Sequence, residues 1–303
     1  MQLDIFENSR DVMLRNDVLQ ALALHDGAQA RAVWETLHQE YPEDLSLPPL
    51  LQLIEAVDTR AWQSMQRQVF ADHQALRGSR LALQNLLAPA ALSLLGQAGA
   101  AAWLRPFWQD LVQSSAHLAF RADSEADHAV PMLLHLQDWR GAHDATLRIE
   151  SWRRIPAPLA WMTQAKLHLY GLQASWAVLA ELAWLSPKRL EALIQASPDP
   201  TLQGLKDQFE ARFEPGFDAP SDPVNPALEL AWFPAWVLTE RPHVAAYLAQ
   251  AQASQYCAPE QAMRLLVNLL GLERQGRHND IVRLRKDLRD LNPWLYREYM
   301  KTR

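Results

Sequence analysis

Along most of the chain, apolar residues recur every three or four positions, and almost no segment alternates apolar with polar as a half-buried strand would. In "ARAVWETLHQEY" a single stripe carries Ala30, Val33, Trp34, Leu37 and Tyr41. In "SWAVLAELAWL" the stripe is Trp176, Leu179, Leu182 and Leu185, and near the end it is Ile281, Leu284, Leu288 and Leu291. A helix with one apolar stripe must lay it against another element. The pattern therefore predicts an all-α protein of packed amphipathic helices.

Punctuation divides the helices into pairs. Four stretches open on glycine and close on proline: 27–42, 141–156, 171–187 and 276–293. Glycine adopts positive φ without steric penalty, so Gly27, Gly141, Gly171 and Gly276 are each expected to end a first helix. A second helix of about four turns follows until proline, which lacks a backbone donor, stops it. Neither helix hides its stripe alone, so neighbouring pairs must stack. Pro106 and Pro234, inside otherwise helical stretches, are expected to mark a first turn or a kink. Asn292 and Pro293 are expected to cap and open a last short helix that folds Trp294, Leu295 and Tyr299 back onto the core.

This punctuation resembles the tetratricopeptide repeat family, in which a helix pair of about 34 residues ends in proline. The turn glycine and the closing "LNP" of the last unit carry the likeness. The glycine-to-proline spacing of 15, 15, 16 and 17 departs from that family's strict register, and Leu269 stands where its first-helix glycine is expected. Further degenerate pairs fit around "DTRAWQSMQRQVF", "RPFWQDLVQ", "SPKRLEAL", "TLQGLKDQFEARF" and "RPHVAAYLAQAQ". The resemblance implies an α-solenoid whose first helices line a concave, protein- or peptide-binding groove. Counting back from the turn glycines puts Asp17, His135, Asp138, Trp139, Trp161, His168, Glu273 and Arg274 on that side. In this arrangement residues 1–213 form one helical array, 214–227 a Pro-rich loop or hinge with four prolines, and 228–303 a continuation ending in a cap.

Composition narrows the reading. The chain has 303 residues, 49% of them hydrophobic and 21% charged, with only 10 glycines, which suits a helical globular protein rather than a disordered one. One cysteine, Cys257, excludes an internal disulfide and a four-thiolate zinc site. The start is acidic and mixed, unlike a signal peptide, so a cytoplasmic location is the default. Residues 81–104 carry no charge and are long enough to cross a bilayer. "GQAG" (96–99) should instead split them into two short buried helices, without membrane insertion.

The formal charge of −6 is uneven: residues 1–60 hold 11 acidic and 4 basic side chains, while residues 274–303 hold 9 basic and 4 acidic ones. The basic end reads first as a solvated cap face. Nucleic acid would require a wider basic stripe with stacking aromatics, and is not the expected partner.

Candidate chemistry is sparse. The sequence lacks a phosphate loop, a Gly-x-Ser-x-Gly elbow, a His-Glu-x-x-His pair and a Cys-x-x-Cys pair, so no cofactor is expected. His128, His135, Asp138, His143 and Asp144 lie within 17 residues. Metal ligation would need three or four of them to converge, against which Pro131 and the turn at Gly141 argue. Cys257 with His243 nearby is the weakest nucleophile candidate. The twelve tryptophans read as wedges between helices, with Trp34, Trp176 and Trp184 in core stripes. The reading that follows is a scaffold or adaptor that is not an enzyme. The alternative is an enzyme with a site between helices, metal-dependent in its clearest form, around His128–Asp144.

Overall fold

A computed structural model describes residues 9–58, 69–213, 226–252 and 257–303. Among these there is no strand; the regular structure is α-helix with short 3₁₀ and π turns. The chain divides into two compact units, Met1–Asp138 and Trp139–Arg303. The Pro-rich stretch 214–225 lies outside the described residues, as does most of "DTRAWQSMQRQVF".

In the first unit the helices are α1 (Arg10–Ala23), α2 (Gly27–Glu40), α3 (Leu47–Asp58), α4 (His73–Ala82), α5 (Ala88–Ser115) and α6 (Ala129–His135). Each packs on its neighbour in sequence or nearly so: α1 on α2, α2 on α3, α3 on α5, α5 on α6. Val18, Leu22, Ala30, Leu37, Leu50, Leu53 and Ile54 are fully buried, and Trp103, Phe107 and Leu111 of α5 close the same core. The stripe read in α2 is the one that goes inward, with Trp34 half-buried and its indole N–H donating to the Leu47 carbonyl at 3.0 Å. Asp127, 1% exposed, is held by Arg77 at 2.7 Å and Arg80 at 2.8 Å, which meets the requirement that a buried charge be paired.

The second unit contains α7 (Trp139–Leu147), α8 (Pro156–Leu185), α9 (Pro187–Ala196), α10 (Pro200–Arg212), α11 (Phe233–Glu240), α12 (Ala245–Leu248), α13 (Ala258–Gln275), α14 (His278–Leu291) and α15 (Pro293–Lys301). Its core gathers Trp176, Leu179 and Leu182 with Phe209, Phe233 and Trp236, and with Leu266, Leu288 and Leu295. Helices on both sides of residues 214–225 thus share one core: the Phe209 ring lies 5.7 Å from Phe233 and 6.0 Å from Trp294. Trp184 is buried as expected, and Ile281 and Leu288 point inward from α14.

The glycines behave in two ways. Gly171 (φ 75°, ψ 179°) breaks α8 into arms 156–170 and 172–185, and Gly276 (φ 70°, ψ 24°) ends α13, as the punctuation predicts. Gly27 and Gly141 do not terminate helices. The left-handed residues there are His25 (φ 55°) and Gln137 (φ 59°), and both glycines sit inside the following helix. Gly27 sits close to another element: a Cβ there would lie 2.0 Å from Asp58 Oδ1, so the Asp58 side chain at the end of α3 would have to shift.

The prolines stop one helix by opening the next. Pro156, Pro187, Pro200, Pro234 and Pro293 all occupy first turns, where a missing N–H costs nothing. Pro106 lies inside α5. The unit at 141–156 differs from its expectation, because α7 ends at Leu147 and Ser151 (φ 54°) turns the chain well before Pro156.

The uncharged run 81–104 is split, and most of it is not buried. Gly96 (φ 67°, ψ 177°) breaks α5, and only 22% of the most apolar 18-residue window of the helical run His73–Ser115 is buried. That run is long and apolar enough to cross a membrane by length and composition alone. Leu81, Leu86 and Leu92 are 39%, 57% and 49% exposed.

At the C-terminal end the structure follows the sequence closely. Asn292 accepts from the Leu295 N–H at 2.9 Å, Pro293 takes the first turn, and Trp294, Leu295 and Tyr299 are buried. Arg283, Lys286, Arg289 and Asp290 are exposed.

Candidate functional site

The first arm of α8 carries Trp161, Gln164 and His168 at helical spacing, so they share one face. Helix α9 carries Arg189, Ala192, Leu193 and Ala196 at i, i+3, i+4 and i+7. These two faces line a groove of about 300 Å³, closed at one part of its rim by Ser197, Pro198 and Asp199. The walls are narrow because Ala160, Ala192 and Ala196 offer only methyl groups, while Trp161, Leu167 and Leu193 supply larger apolar surface.

Polar groups edge this apolar groove. Gln164, His168 and Arg189 line it directly. Asp199 also lines it, but its carboxylate caps α10, accepting from the N–H groups of Thr201 (2.8 Å) and Leu202 (3.2 Å). The His168 ring stacks on Trp139 with centroids 3.7 Å apart and planes at 2°. Partial burial lowers the His168 pKa, so the neutral imidazole is favoured.

Of the residues singled out in the sequence, Trp161 and His168 therefore line one groove, and Trp139 braces His168 behind it. The others lie elsewhere. Asp17 is an exposed residue of α1. His135 packs on Trp108 (centroids 4.7 Å apart), its pKa also lowered by burial, and Asp138 is exposed at the end of the first unit. Glu273 is committed inside the molecule: it accepts from the Tyr299 hydroxyl, from Arg285 at 3.1 Å and from Arg303 at 3.0 Å. Arg274 is exposed and reaches the Pro242 carbonyl at 3.5 Å.

The residues weighed as metal ligands have separate tasks. His128 Nδ1 accepts from the Val130 N–H at 3.2 Å and so caps α6, and His143 pairs with Asp144 at 2.8 Å. No group of three or more His, Cys, Asp or Glu side chains converges among the described residues. Burial raises the Cys257 thiol pKa, which disfavours the nucleophilic thiolate.

Counting back from turn glycines missed the α9 wall, because no glycine follows α9. The signal was present all the same in "SPKRLEALIQASPDP", whose Arg189, Ala192, Leu193 and Ala196 repeat at helical spacing.

A second unusual feature of this unit is Glu181, fully buried on the second arm of α8. One carboxylate oxygen accepts from the Gln252 N–H at 2.8 Å and from Arg153 at 3.1 Å, while the other has no hydrogen-bond partner among the described residues. Burial raises its pKa, against the pull of Arg153, Lys166 and Arg264.

No protein-family model matches the chain, and no curated protein or solved structure matches it either.

Proposed function

We propose that the chain is a protein- or peptide-binding scaffold, built of stacked helix pairs in the tetratricopeptide manner, and that it binds through the groove between the first arm of α8 and α9. The groove itself carries this reading: apolar and two-walled, it is edged by a few polar groups and lined at helical spacing on both sides. In a stack of helix pairs, the first helices of successive pairs line one face. In this reading the arm 156–170 and α9 stand as successive first helices, with the arm 172–185 as the second helix between them in sequence. A groove preformed on rigid helices binds without the entropic cost of ordering its walls. The Trp139–His168 stack supports the same reading, since it fixes a rim side chain in one orientation.

The test is site-directed photocrosslinking. A photoreactive residue at Ala192, in the groove, should capture a discrete polypeptide from a lysate of the protein's own cells. The same group at Val282, which is 69% exposed on α14, should not capture it. Identical adducts from both positions, or none from Ala192, would refute the groove as the binding face.

A further inference from the structure

We infer that Glu181 is a proton-controlled tie: its neutral carboxyl holds the segment 245–252 on the second arm of α8, and its ionisation loosens that segment. The first argument is the weakness of what is tied. Helix α12 has only the four residues Ala245–Leu248, against the about 12–15 at which an isolated helix becomes stable in water. The chain then turns through Ala249 and Gln250, whose N–H groups bond back to the Ala245 and Tyr247 carbonyls. The segment is therefore placed by its contacts with the rest of the unit. Ala245, Leu248 and Ala251 are buried in the core, and α12 packs on α8. Among the described residues three hydrogen bonds fasten it to other elements. The Ala251 carbonyl accepts from Arg264 at 3.3 Å, the Tyr247 hydroxyl donates to Gln173 at 3.5 Å, and the Gln252 N–H donates to Glu181 at 2.8 Å. Segments held by so few contacts open before the rest of a fold does.

The second argument is where the carboxyl sits. Glu181 is fully buried, and one of its oxygens takes both hydrogen bonds it receives from the described residues. An ionised carboxylate has about four acceptor sites, so the charged form is under-solvated here in a way the neutral acid is not. The charged groups acting on it are Arg153 of the 3₁₀ turn Trp152–Arg154, Lys166 of the first arm of α8, and Arg264 of α13. None is a full counter-charge. The Arg153 side chain is 29% exposed, and Arg264 is paired with the buried Glu260 at 2.7 Å. Lys166 is itself held below the usual lysine pKa, by burial and then by Arg153. Burial outweighs all three and raises the Glu181 pKa. Opening of 245–252 returns the carboxyl to water and to its ordinary pKa. The closed form thus binds the proton more tightly than the open one, so it is favoured at low pH and loses that advantage as the pH rises through the raised value.

The test is hydrogen–deuterium exchange of the full chain between pH 4.5 and 8, corrected for the intrinsic pH dependence of amide exchange. Protection of residues 245–252 is read relative to the buried helix α11, which reports the stability of the unit as a whole. In the wild type this ratio should fall at least about threefold as the pH rises. In Glu181→Gln, which cannot ionise, it should stay flat. Arg153→Gln removes one attraction for the ionised form and leaves the carboxyl in place, so it should deepen the fall. A flat ratio in the wild type, or equal falls in the wild type and Glu181→Gln, would overturn the inference. Should Glu181→Gln fail to fold, Arg153→Gln decides: a fall no deeper than that of the wild type would overturn it as well.

Discussion

Leu295→Ala tests whether the C-terminal helix is part of the fold or an arm laid upon it. Leu295 is 0% exposed, between Trp294 at 4% and the cap residue Asn292 that receives its N–H. Trp294 packs on Phe213 with centroids 4.8 Å apart and donates to the Arg212 carbonyl at 2.9 Å. Tyr299 is fully buried, with the Arg285 and Arg303 guanidinium carbons 5.5 and 5.1 Å from its ring centroid. With neighbours so fixed, the site cannot collapse around a smaller side chain. Truncating a buried leucine in such a place costs about 2–5 kcal/mol. For a unit of this size each kcal/mol lowers the melting temperature by about 2–4 °C, so a drop of about 4–20 °C is expected by circular dichroism. Val282→Ala, at a 69% exposed position on α14, should change stability by less than about 0.5 kcal/mol. Deleting residues 292–303 should destabilise or aggregate the protein outright. A Leu295→Ala curve within about 1 °C of wild type would refute the packing argument. A deletion that melts normally but loses salt-sensitive binding to DNA or RNA would make the basic end a nucleic-acid arm instead.

Gly171→Ala should cost about 1–3 kcal/mol, because φ 75° with ψ 179° is a region open essentially to glycine alone. Gly204→Ala, inside α10 where an added Cβ meets nothing within 4 Å, should instead stabilise by up to about 1 kcal/mol; urea titrations of both variants check the pair. The effect of Glu181→Gln should depend on pH. Burial raises the folded-state pKa of Glu181 above its ordinary 4.5, so the folded state binds that proton more tightly than the unfolded chain. The stability it contributes is complete below pH 4.5 and is lost as the pH rises through the folded value. Measured as variant minus wild type, the unfolding free energy should therefore rise from about pH 4.5 upward; a difference that stays flat between pH 4 and 7 would mean that Arg153, Lys166 and Arg264 fully compensate the buried charge.

The helical class was legible because apolar residues recur every three or four positions along most of the chain, and the stripes in α2, the second arm of α8 and α14 are the faces that went inward. Turn positions were also legible, but the residue responsible was not always the glycine. At "HDG" the left-handed residue is His25, whose ring stacks on Trp103 at 5.6 Å. That partner is 78 residues away, and no local pattern encodes it. Gly27 instead leaves room for the Asp58 carboxylate, which a Cβ there would displace, so the same small residue was noticed for one reason and makes its contact for another.

The candidate site divides along the same line. Trp161 and His168 could be placed on a common face from spacing within one helix. The opposing wall comes from α9, and recognising the groove required knowing that α9 packs beside the first arm of α8. Glu273 shows the limit from the other side. The resemblance to the tetratricopeptide family implied a binding face for its carboxylate, yet it is claimed by Tyr299, Arg285 and Arg303, all from later in the chain. A charged residue read from one helix is a free ligand only if no later segment returns to neutralise it. Within a stack of short helices, where each element is covered by the next, that condition depends on the third and fourth elements along the chain rather than on the helix that bears the charge.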